Sequence, residues 1–182
     1  GHSHYTAYIG GISRTGIDGS HSFINCSNYG DINVSGQIGD NVFASNKGAD
    51  CFIGGLAYAC LGATDPKTYV NCHNYGNIYY QGTSAAKYVQ LCGLVRFHKE
   101  NHTEWTNSTN HGDIIVSGAT SDYFILGGFS TRHFQTTTYS ACHNYGDIIV
   151  EESASATMVV AGGFLGTNDD TGEVCYIQNC SN

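Results

Sequence analysis

The chain has 182 residues, with 24 glycines, one proline and 41% hydrophobic residues. That length and apolar content suit a single domain with its own core and argue against intrinsic disorder. Seven basic and 15 acidic side chains give a formal net charge of -8. Nucleic acids and anionic lipids are bound through clustered Lys and Arg, so this balance argues against both as main partners. No stretch approaches the ~20 apolar residues of a membrane helix, and no membrane insertion is expected.

Three patterns recur along the chain and define an internal repeat. Asn-x-Gly-Asp/Asn-Ile occurs at residues 28–32, 74–78, 110–114 and 144–148. Apolar residues around a glycine pair, or around Cys92-Gly93, occur at residues 9–12, 53–56, 91–94, 126–129 and 161–164. A third column lies two residues before each Asn and consists of Cys26, Cys72, Ser108, Cys142 and Cys180. The patterns stay in phase and predict one repeat domain over residues 1–182, part of a longer array, with units near 1–28, 29–74, 75–110, 111–144 and 145–182.

Each unit contains three short segments with the composition of β-strands, separated by turn residues. In the fourth unit they are residues 113–117, 123–129 and 139–144. No window keeps the i, i+3, i+4, i+7 spacing of a buried helix face. We therefore predict an all-β parallel β-solenoid (β-helix), with about three strands per coil and four to five coils of 34–46 residues. A β-propeller is the alternative, although its blades usually have four strands.

The alternation of side chains along a strand divides each repeat segment into two faces. Within residues 25–34, the even-numbered side chains are predicted to point inwards and the odd-numbered ones outwards. Stacked coils would place equivalent residues ~4.8 Å apart, so the inward Asn residues can form a ladder of side-chain amides. The predicted structural ladder consists of Asn28, Asn74, Asn110 and Asn144, with Cys26, Cys72, Cys142 and Cys180 beside it.

The pattern Asn-Cys-x-Asn-Tyr-Gly-Asp-Ile-x-Val-x-Gly, followed by a Gly-Gly-apolar strand, resembles the GLUG-type repeats of bacterial cell-surface and secreted proteins. The resemblance covers nearly the whole chain. It departs from the pattern at Cys92-Gly93, at Ser108 and in residues 33–51, which are expected to project as a loop. It implies an extracellular, adhesin-like or stalk-like repeat region and carries over no catalytic residues.

The cysteines and histidines match no metal or redox motif. Inward thiols in the repeat column are expected to behave as small hydrophobic groups. His73 and His143 occupy equivalent outward positions about 10 Å apart, too far to share one ion through two direct bonds. Neither a metal nor a cofactor is expected. Four further cysteines lie off the column, and their pairing is left open: Cys51, Cys60, Cys92 and Cys175.

An outward acidic column follows the same repeat, at Asp31, Asn77, Asp113 and Asp147. It matches no calcium-loop motif, and Asp at a strand-opening turn already has a local hydrogen-bonding role. Catalytic carboxylates in a β-helix enzyme need to converge in a cleft, which should break the repeat. Because these acids follow it, enzymatic activity is not expected.

An outward aromatic stripe is the best candidate binding surface in the sequence. Tyrosine combines an apolar ring with a polar tip and is favoured at recognition surfaces. The same rings can instead form a ladder that stabilises neighbouring strands. We define the aromatic stripe as Tyr29, Tyr75, Tyr79, His111 and Tyr145.

Five sequons would be glycosylation sites in a secreted eukaryotic protein. They begin at Asn25, Asn33, Asn101, Asn107 and Asn179.

The expected function is a non-catalytic, extracellular structural or adhesive module whose partner is a protein or glycan at a cell surface. One alternative is a subunit that stacks end to end with its own copies into a filament, because solenoid ends expose unpaired strand edges. The other is a carbohydrate-binding or carbohydrate-processing β-helix.

Overall fold

The computed structural model describes residues 7–16, 22–36, 50–61, 67–82, 85–118, 120–168 and 174–182. These residues form strands and turns only, as predicted, so the fold is all-β. Among them there is no apolar helix of the length needed to cross a membrane. The predicted loop lies mostly outside the described residues, although its first residues continue a strand that ends at Gly36.

The first half of the chain contributes ten strands. They are β1 (Ala7–Gly10), β2 (Ser13–Gly16), β3 (Phe23–Ile24), β4 (Ser27–Asn28), β5 (Ile32–Gly36), β6 (Cys51–Gly54), β7 (Ala57–Leu61), β8 (Lys67–Val70), β9 (His73–Asn74) and β10 (Ile78–Gly82). The second half contributes eleven. They are β11 (Ala85–Cys92), β12 (Val95–Thr106), β13 (Thr109–Asn110), β14 (Ile114–Val116), β15 (Thr120–Gly127), β16 (Ser130–Ser140), β17 (His143–Asn144), β18 (Ile148–Val150), β19 (Ser155–Gly162), β20 (Leu165–Asn168) and β21 (Cys175–Gln178).

Strands from successive repeats lie side by side in four parallel sheets. Sheet A has the order β1-β6-β11-β15-β19, and sheet B has the order β2-β7-β12-β16-β20, with β3, β8 and β21 pairing alongside. Sheet C has the order β4-β9-β13-β17, and sheet D has the order β5-β10-β14-β18. Parallel strands that return to the same sheet at each repeat make the fold solenoid-like.

Equivalent residues of the sequence repeat are direct neighbours in these sheets. In sheet D, Ile78 is paired with Ile32 on one side and with Ile114 on the other. In sheet A, Ile53 is paired with Ile9 and Leu91. The register of the sheets therefore pairs the residues that occupy equivalent positions in the sequence motifs.

Two predicted strands are each interrupted by a corner. The segment 123–129 was predicted as one strand, but β15 ends at Gly127 and β16 begins at Ser130. A Cβ atom on Gly127 would lie only 1.9 Å from the backbone oxygen of Ser130, so the chain bends too tightly for a side chain. The segment 139–144 is divided at Ala141, which has a φ of 52°. The middle repeats consequently place strands in four sheets, where the sequence predicted about three strands per coil.

In the middle repeats the inward and outward faces are those that the alternation predicts, whereas Gly30 and Val150, predicted to point inwards, are exposed in the terminal repeats. Asn74 and Ile78 are fully or almost fully buried, whereas Tyr75 between them is 41% exposed. One hydrophobic cluster fills the space between sheets A and D and includes Ile78, Leu91 and Phe124. A second cluster packs behind sheets B and C and includes Trp105 and Tyr139.

The glycine of the Asn-x-Gly motif is required by close packing between repeats. A Cβ atom on Gly76 would lie 2.1 Å from the oxygen of Gly30, and one on Gly112 would lie 1.9 Å from the oxygen of Gly76. A positive φ, the other reason for a glycine at such a turn, occurs at none of these positions. The stacked backbones therefore leave no room for a side chain at Gly76 or Gly112.

Candidate functional site

The inward asparagines form a continuous ladder of side-chain amides. The Nδ2 atom of each donates to the Oδ1 atom of the next, from Asn28 through Asn74, Asn110 and Asn144 to Asn182, at 2.7–2.9 Å. The same Nδ2 atom also donates to a backbone oxygen two residues later, that of Gly112 in the case of Asn110. Every amide donates to the amide of the next repeat, so all hydrogen bonds of the ladder point in the same direction. Asn182 was not among the predicted members.

The cysteine column beside this ladder is packed rather than bridged. The described residues contain free thiols at Cys26, Cys51, Cys72, Cys92, Cys142, Cys175 and Cys180. Ser108 takes the place of a cysteine in the column, and its Oγ accepts a hydrogen bond from the backbone N–H of Cys72 at 3.1 Å. The side chain of Cys60 lies outside the described part of the chain.

Burial makes several of these thiols unreactive. It raises the pKa of Cys51 and of Cys142 to about 12. It also raises the pKa of Cys72 and of Cys175 to about 11. The thiolate is the nucleophilic form, so these cysteines are poor candidates for catalysis or oxidation at neutral pH.

Four members of the aromatic stripe stack along the repeat direction. The ring centroids of Tyr29 and Tyr75, Tyr75 and His111, and His111 and Tyr145 are 4.7–4.8 Å apart, with interplanar angles of 4° to 23°. Tyr79 is outside this stack, and its hydroxyl oxygen accepts a hydrogen bond from Asn77 at 2.9 Å.

This stacking determines what the stripe presents to solvent. The faces of Tyr75 and His111 are covered by their neighbours, so these rings expose their edges and polar tips. A sugar that packs against an aromatic face would find one only at the ends of the stack, on Tyr29 or Tyr145. Tyr29 and Tyr145 are 75% and 60% exposed, against 41% for Tyr75.

The outward acidic column bonds one repeat to the next. Oδ1 of Asp31 accepts the backbone N–H of Asn77, Oδ1 of Asn77 accepts that of Asp113, and Oδ1 of Asp113 accepts that of Asp147. Each of these distances is 2.8 Å. The acidic column therefore has a structural use. No cluster of three or more potential metal ligands occurs among the described residues.

A second amide ladder runs along the outer corner and was not predicted. Nδ2 of Asn71 donates to Oδ1 of Asn25, and Nδ2 of Asn107 donates to Oδ1 of Asn71. These residues and Asn179 have φ between 50° and 58°, a left-handed conformation that Asn tolerates better than most residues. The recurrence of Asn immediately before the cysteine column was the available signal.

Some of the predicted sequon asparagines lie at this corner. Asn25, Asn33, Asn107 and Asn179 are exposed, and the first and third use their side chains in the outer ladder. Asn101 lies within β12, and its side chain is outside the described part of the chain.

His73 is held in the same region by two hydrogen bonds. Its Nδ1 lies 2.7 Å from Oγ1 of Thr109, and its Nε2 lies 3.2 Å from Oδ1 of Asn71. Because Oδ1 of Asn71 can only accept, Nε2 carries the proton and Nδ1 accepts from the threonine hydroxyl. Partial burial, and then the proximity of His111, lower the pKa of His73.

One buried cluster breaks the repeat. Arg96 is 8% exposed, its guanidinium carbon lies 3.9 Å from the centre of the Phe52 ring, and its Nε donates to Gln90 at 2.6 Å. Its Nη1 also donates to the hydroxyl of Tyr58 at 3.2 Å. Burial lowers the pKa of Arg96 to about 10, so the side chain remains charged at neutral pH. Sequence reasoning missed this cluster because its members occupy no common column.

No protein-family model, curated protein or solved structure matches this chain.

Proposed function

We propose that this chain is a non-catalytic, extracellular structural and adhesive module of the GLUG type that its motifs resemble. In this proposal the four sheets close into a β-solenoid of four to five coils. The observation that carries it is the use of side chains in four repeat columns, the two amide ladders, the acidic column and the aromatic stripe. Each column contacts its own equivalents in neighbouring repeats. Such contacts hold repeats together and leave few of these groups for chemistry.

The state of the cysteines is compatible with an oxidising location. Free thiols are uncommon in secreted proteins, because exposed thiols there form disulfides. Here the thiols of Cys51, Cys72 and Cys142 are buried and their pKa is raised to between about 11 and 12. These groups are therefore protected by the fold itself.

The adhesive part of the proposal assigns recognition to the exposed edge of the aromatic stripe. Tyr29, Tyr75 and Tyr145 present their edges to solvent along the stack. A row of weak, identical contacts becomes effective when many copies of the module are displayed on one surface. The partner in this proposal is a protein or glycan at a cell surface.

The first test asks for adhesion. Beads coated with the chain are applied to epithelial cells and to immobilised glycans, and the same is done with a double variant, Tyr75→Ala with Tyr145→Ala. The matched control is Tyr88→Ala with Tyr123→Ala, which removes two tyrosines outside the stripe that stack on each other, with ring centroids 4.9 Å apart. The proposal predicts adhesion that only the stripe variant loses. Absence of adhesion, or equal loss in both variants, would remove the adhesive role.

The second test measures whether the chain cleaves polysaccharides. The purified chain is incubated with plant, microbial and host polysaccharides across acid, neutral and alkaline pH, and reducing ends and unsaturated sugars are measured. The proposal predicts no release above the blank. Release that increases with protein concentration and persists through repurification would favour the carbohydrate-processing alternative.

A third test concerns location. The chain is directed to an oxidising compartment, purified without reductant and examined by mass spectrometry and thiol titration. Reduced, slowly reacting cysteines are expected, with rapid titration after unfolding. Disulfides formed during folding would show that the fold does not protect these thiols.

A further inference from the structure

Two pairs of tyrosines from adjacent repeats stack face to face at the surface. Tyr88 on β11 and Tyr123 on β15 are paired in the register of sheet A, with ring centroids 4.9 Å apart and planes that differ by 13°. Tyr29 and Tyr75 of the aromatic stripe have ring centroids 4.8 Å apart and planes that differ by 4°. Tyr88 and Tyr123 are half-buried, and Tyr75 is 41% exposed. Each pair therefore combines close ring contact with access from solvent.

We propose that these two pairs are sites of oxidative cross-linking, in which each pair is joined into a dityrosine that covalently links adjacent repeats. The oxidant is of the class that removes single electrons from phenols, namely a peroxidase with hydrogen peroxide. The inference goes beyond adhesion, because it concerns a covalent modification of the chain itself. It depends on the stacking of the repeats, which also underlies the proposed function.

The reaction removes two hydrogen atoms from each pair. Each phenol loses one electron and one proton, and the unpaired electron of the resulting radical is shared between the hydroxyl oxygen and the two Cε atoms. A carbon–carbon bond forms between one Cε atom of each ring. The hydrogen on each bonded carbon then leaves as a proton while each oxygen takes up a proton, which restores both aromatic rings and both hydroxyls. Hydrogen peroxide accepts the two electrons and two protons and becomes two molecules of water.

The sheet geometry favours coupling within a pair over coupling between chains. Neighbouring strands lie ~4.8 Å apart, so rings in register on adjacent repeats are held at this spacing while the sheet persists. The N–H of Tyr75, for example, donates at 2.8 Å to the oxygen of Asn28, the residue before Tyr29. Holding two reactants side by side makes their reaction effectively unimolecular, so in dilute solution it is faster than the encounter of two chains.

Burial distinguishes these pairs from a third tyrosine contact. The new bond requires the two rings to turn out of the stack until their edges meet, so the side chains need space beside them. Tyr8 and Tyr58 have ring centroids only 4.4 Å apart, but their planes are inclined by 54°. Tyr58 is 8% exposed, and its hydroxyl accepts a hydrogen bond from Arg96 at 3.2 Å. Because Tyr58 is held in place, no link to Tyr8 is expected.

The aromatic stripe contains an internal control. His111 lies between Tyr75 and Tyr145, with ring centroids 4.7 Å from the first and 4.8 Å from the second. The intervening imidazole keeps the two tyrosine rings apart. Tyr145 should therefore stay unlinked, although it is 60% exposed. Stacking of one tyrosine on another, and not exposure alone, decides which residues react.

The test treats the dilute full chain with a peroxidase and limiting hydrogen peroxide, and stops the reaction with catalase. The chain should stay monomeric on a denaturing gel, acquire the fluorescence of dityrosine and lose four hydrogen atoms from its intact mass, apart from any oxygen gained by Met158. Tandem mass spectrometry of the digested chain should find two linked peptide pairs, one for each stacked pair. Links that fall mainly on Tyr58 or Tyr145, or mainly between chains, would overturn the proposal.

Phenylalanine variants separate the chemistry from the stacking. Tyr88→Phe keeps the ring and removes the hydroxyl, so it should abolish the link to Tyr123 and lower the dityrosine fluorescence about twofold. Tyr145→Phe is the matched control and should leave both links unchanged. Circular dichroism checks that both variants remain β-rich. Equal effects of the two variants on the fluorescence would contradict the assignment of the links to the stacked pairs.

The links should also stabilise the stacked repeats. Each link closes a loop of the chain and lowers the entropy of the unfolded state, as a disulfide does. The midpoint of thermal unfolding should rise by several degrees in the oxidised chain, and by less in oxidised Tyr88→Phe. An unchanged midpoint in a chain that carries both links would contradict the stabilising role.

The failure of this proposal is distinguishable from the failure of the proposed function. Absence of links in a chain that remains folded and β-rich would remove the cross-linking sites and leave the adhesive role intact, because adhesion needs only the exposed ring edges. A chain without β structure would instead refute both.

Discussion

The carboxamide of Asn110 lies directly against Gly93. A Cβ atom on Gly93 would stand 2.2 Å from Cγ of Asn110, and the equivalent contact joins Gly128 to Asn144. The two recurrent motifs of the sequence therefore meet in space, the glycine pair providing the surface on which the amide ladder lies. This contact explains why the motifs keep a common phase along the chain.

The inner ladder should contribute more stability than the outer one. Asn110→Ala removes two donated hydrogen bonds and one accepted one at a fully buried position, and leaves buried partners unsatisfied. The free energy of unfolding should fall by about 3 kcal/mol. It is measured by urea unfolding, followed through the fluorescence of Trp105, the single, fully buried tryptophan.

The matched control for this prediction is Asn107→Gly. It removes one exposed amide bond and keeps a residue suited to the left-handed corner. A loss below about 1 kcal/mol is expected. Similar losses at the two positions would show that burial does not distinguish the ladders.

The close packing between repeats can be tested with the same Gly→Ala substitution at two positions of one glycine column. Gly112→Ala places a Cβ atom 1.9 Å from the oxygen of Gly76, whereas in Gly30→Ala the nearest atom is Oδ1 of Asn28 at 3.8 Å. The first should lower the free energy of unfolding by at least about 2 kcal/mol, because backbone atoms must move. The second should change it by less than about 1 kcal/mol. Equal effects in urea unfolding would argue against close backbone stacking.

The outer corner offers a stabilising substitution. Ala141 has a φ of 52°, which costs an alanine about 1 kcal/mol or more. Ala141→Asn should relieve this cost and join the outer ladder next to Asn107, raising stability by about 1 kcal/mol. Ala141→Gly should raise stability by a smaller amount, because glycine also gains conformational freedom in the unfolded chain. Thermal unfolding of both variants measures the difference, and a more stable glycine variant would exclude an amide contribution.

Much of this architecture is readable from the sequence. Equal spacing of like residues forces them into neighbouring strands, so the all-β fold and the buried and exposed faces near residues 25–34 follow directly. The Asn and Tyr columns were predicted in the same way.

Other features depend on contacts that spacing does not encode. The corner at Ala141 was missed because alanine gives no turn signal. The bend after Gly127 was missed because the run of apolar residues continues through it. The Arg96 cluster joins residues from different columns, which only the packing of sheets A and B brings together.

Acid should destabilise the fold through His73. Burial and His111 lower its pKa in the folded state, whereas an unfolded histidine titrates near 6.5. The unfolded chain therefore binds this proton first as the pH falls. Its contribution to stability is complete above about pH 6.5 and is lost as the pH falls through the lower folded pKa. Unfolding free energies of the parent and of His73→Gln, compared over this range, should show a smaller pH dependence in the variant. An unchanged slope would contradict the assignment to His73.

Amide hydrogen exchange tests the stacking of successive repeats most directly. The backbone N–H groups of His111 and Ile114 bond to Asn74 and Asp147 in adjacent repeats at 2.7 and 2.8 Å. If the sheets are continuous, the amides of these middle repeats should exchange together and only through global unfolding, while those of the edge strand β18 exchange faster. Middle amides that exchange as fast as those of β18, or one repeat at a time, would contradict the stacked fold on which the proposed function rests.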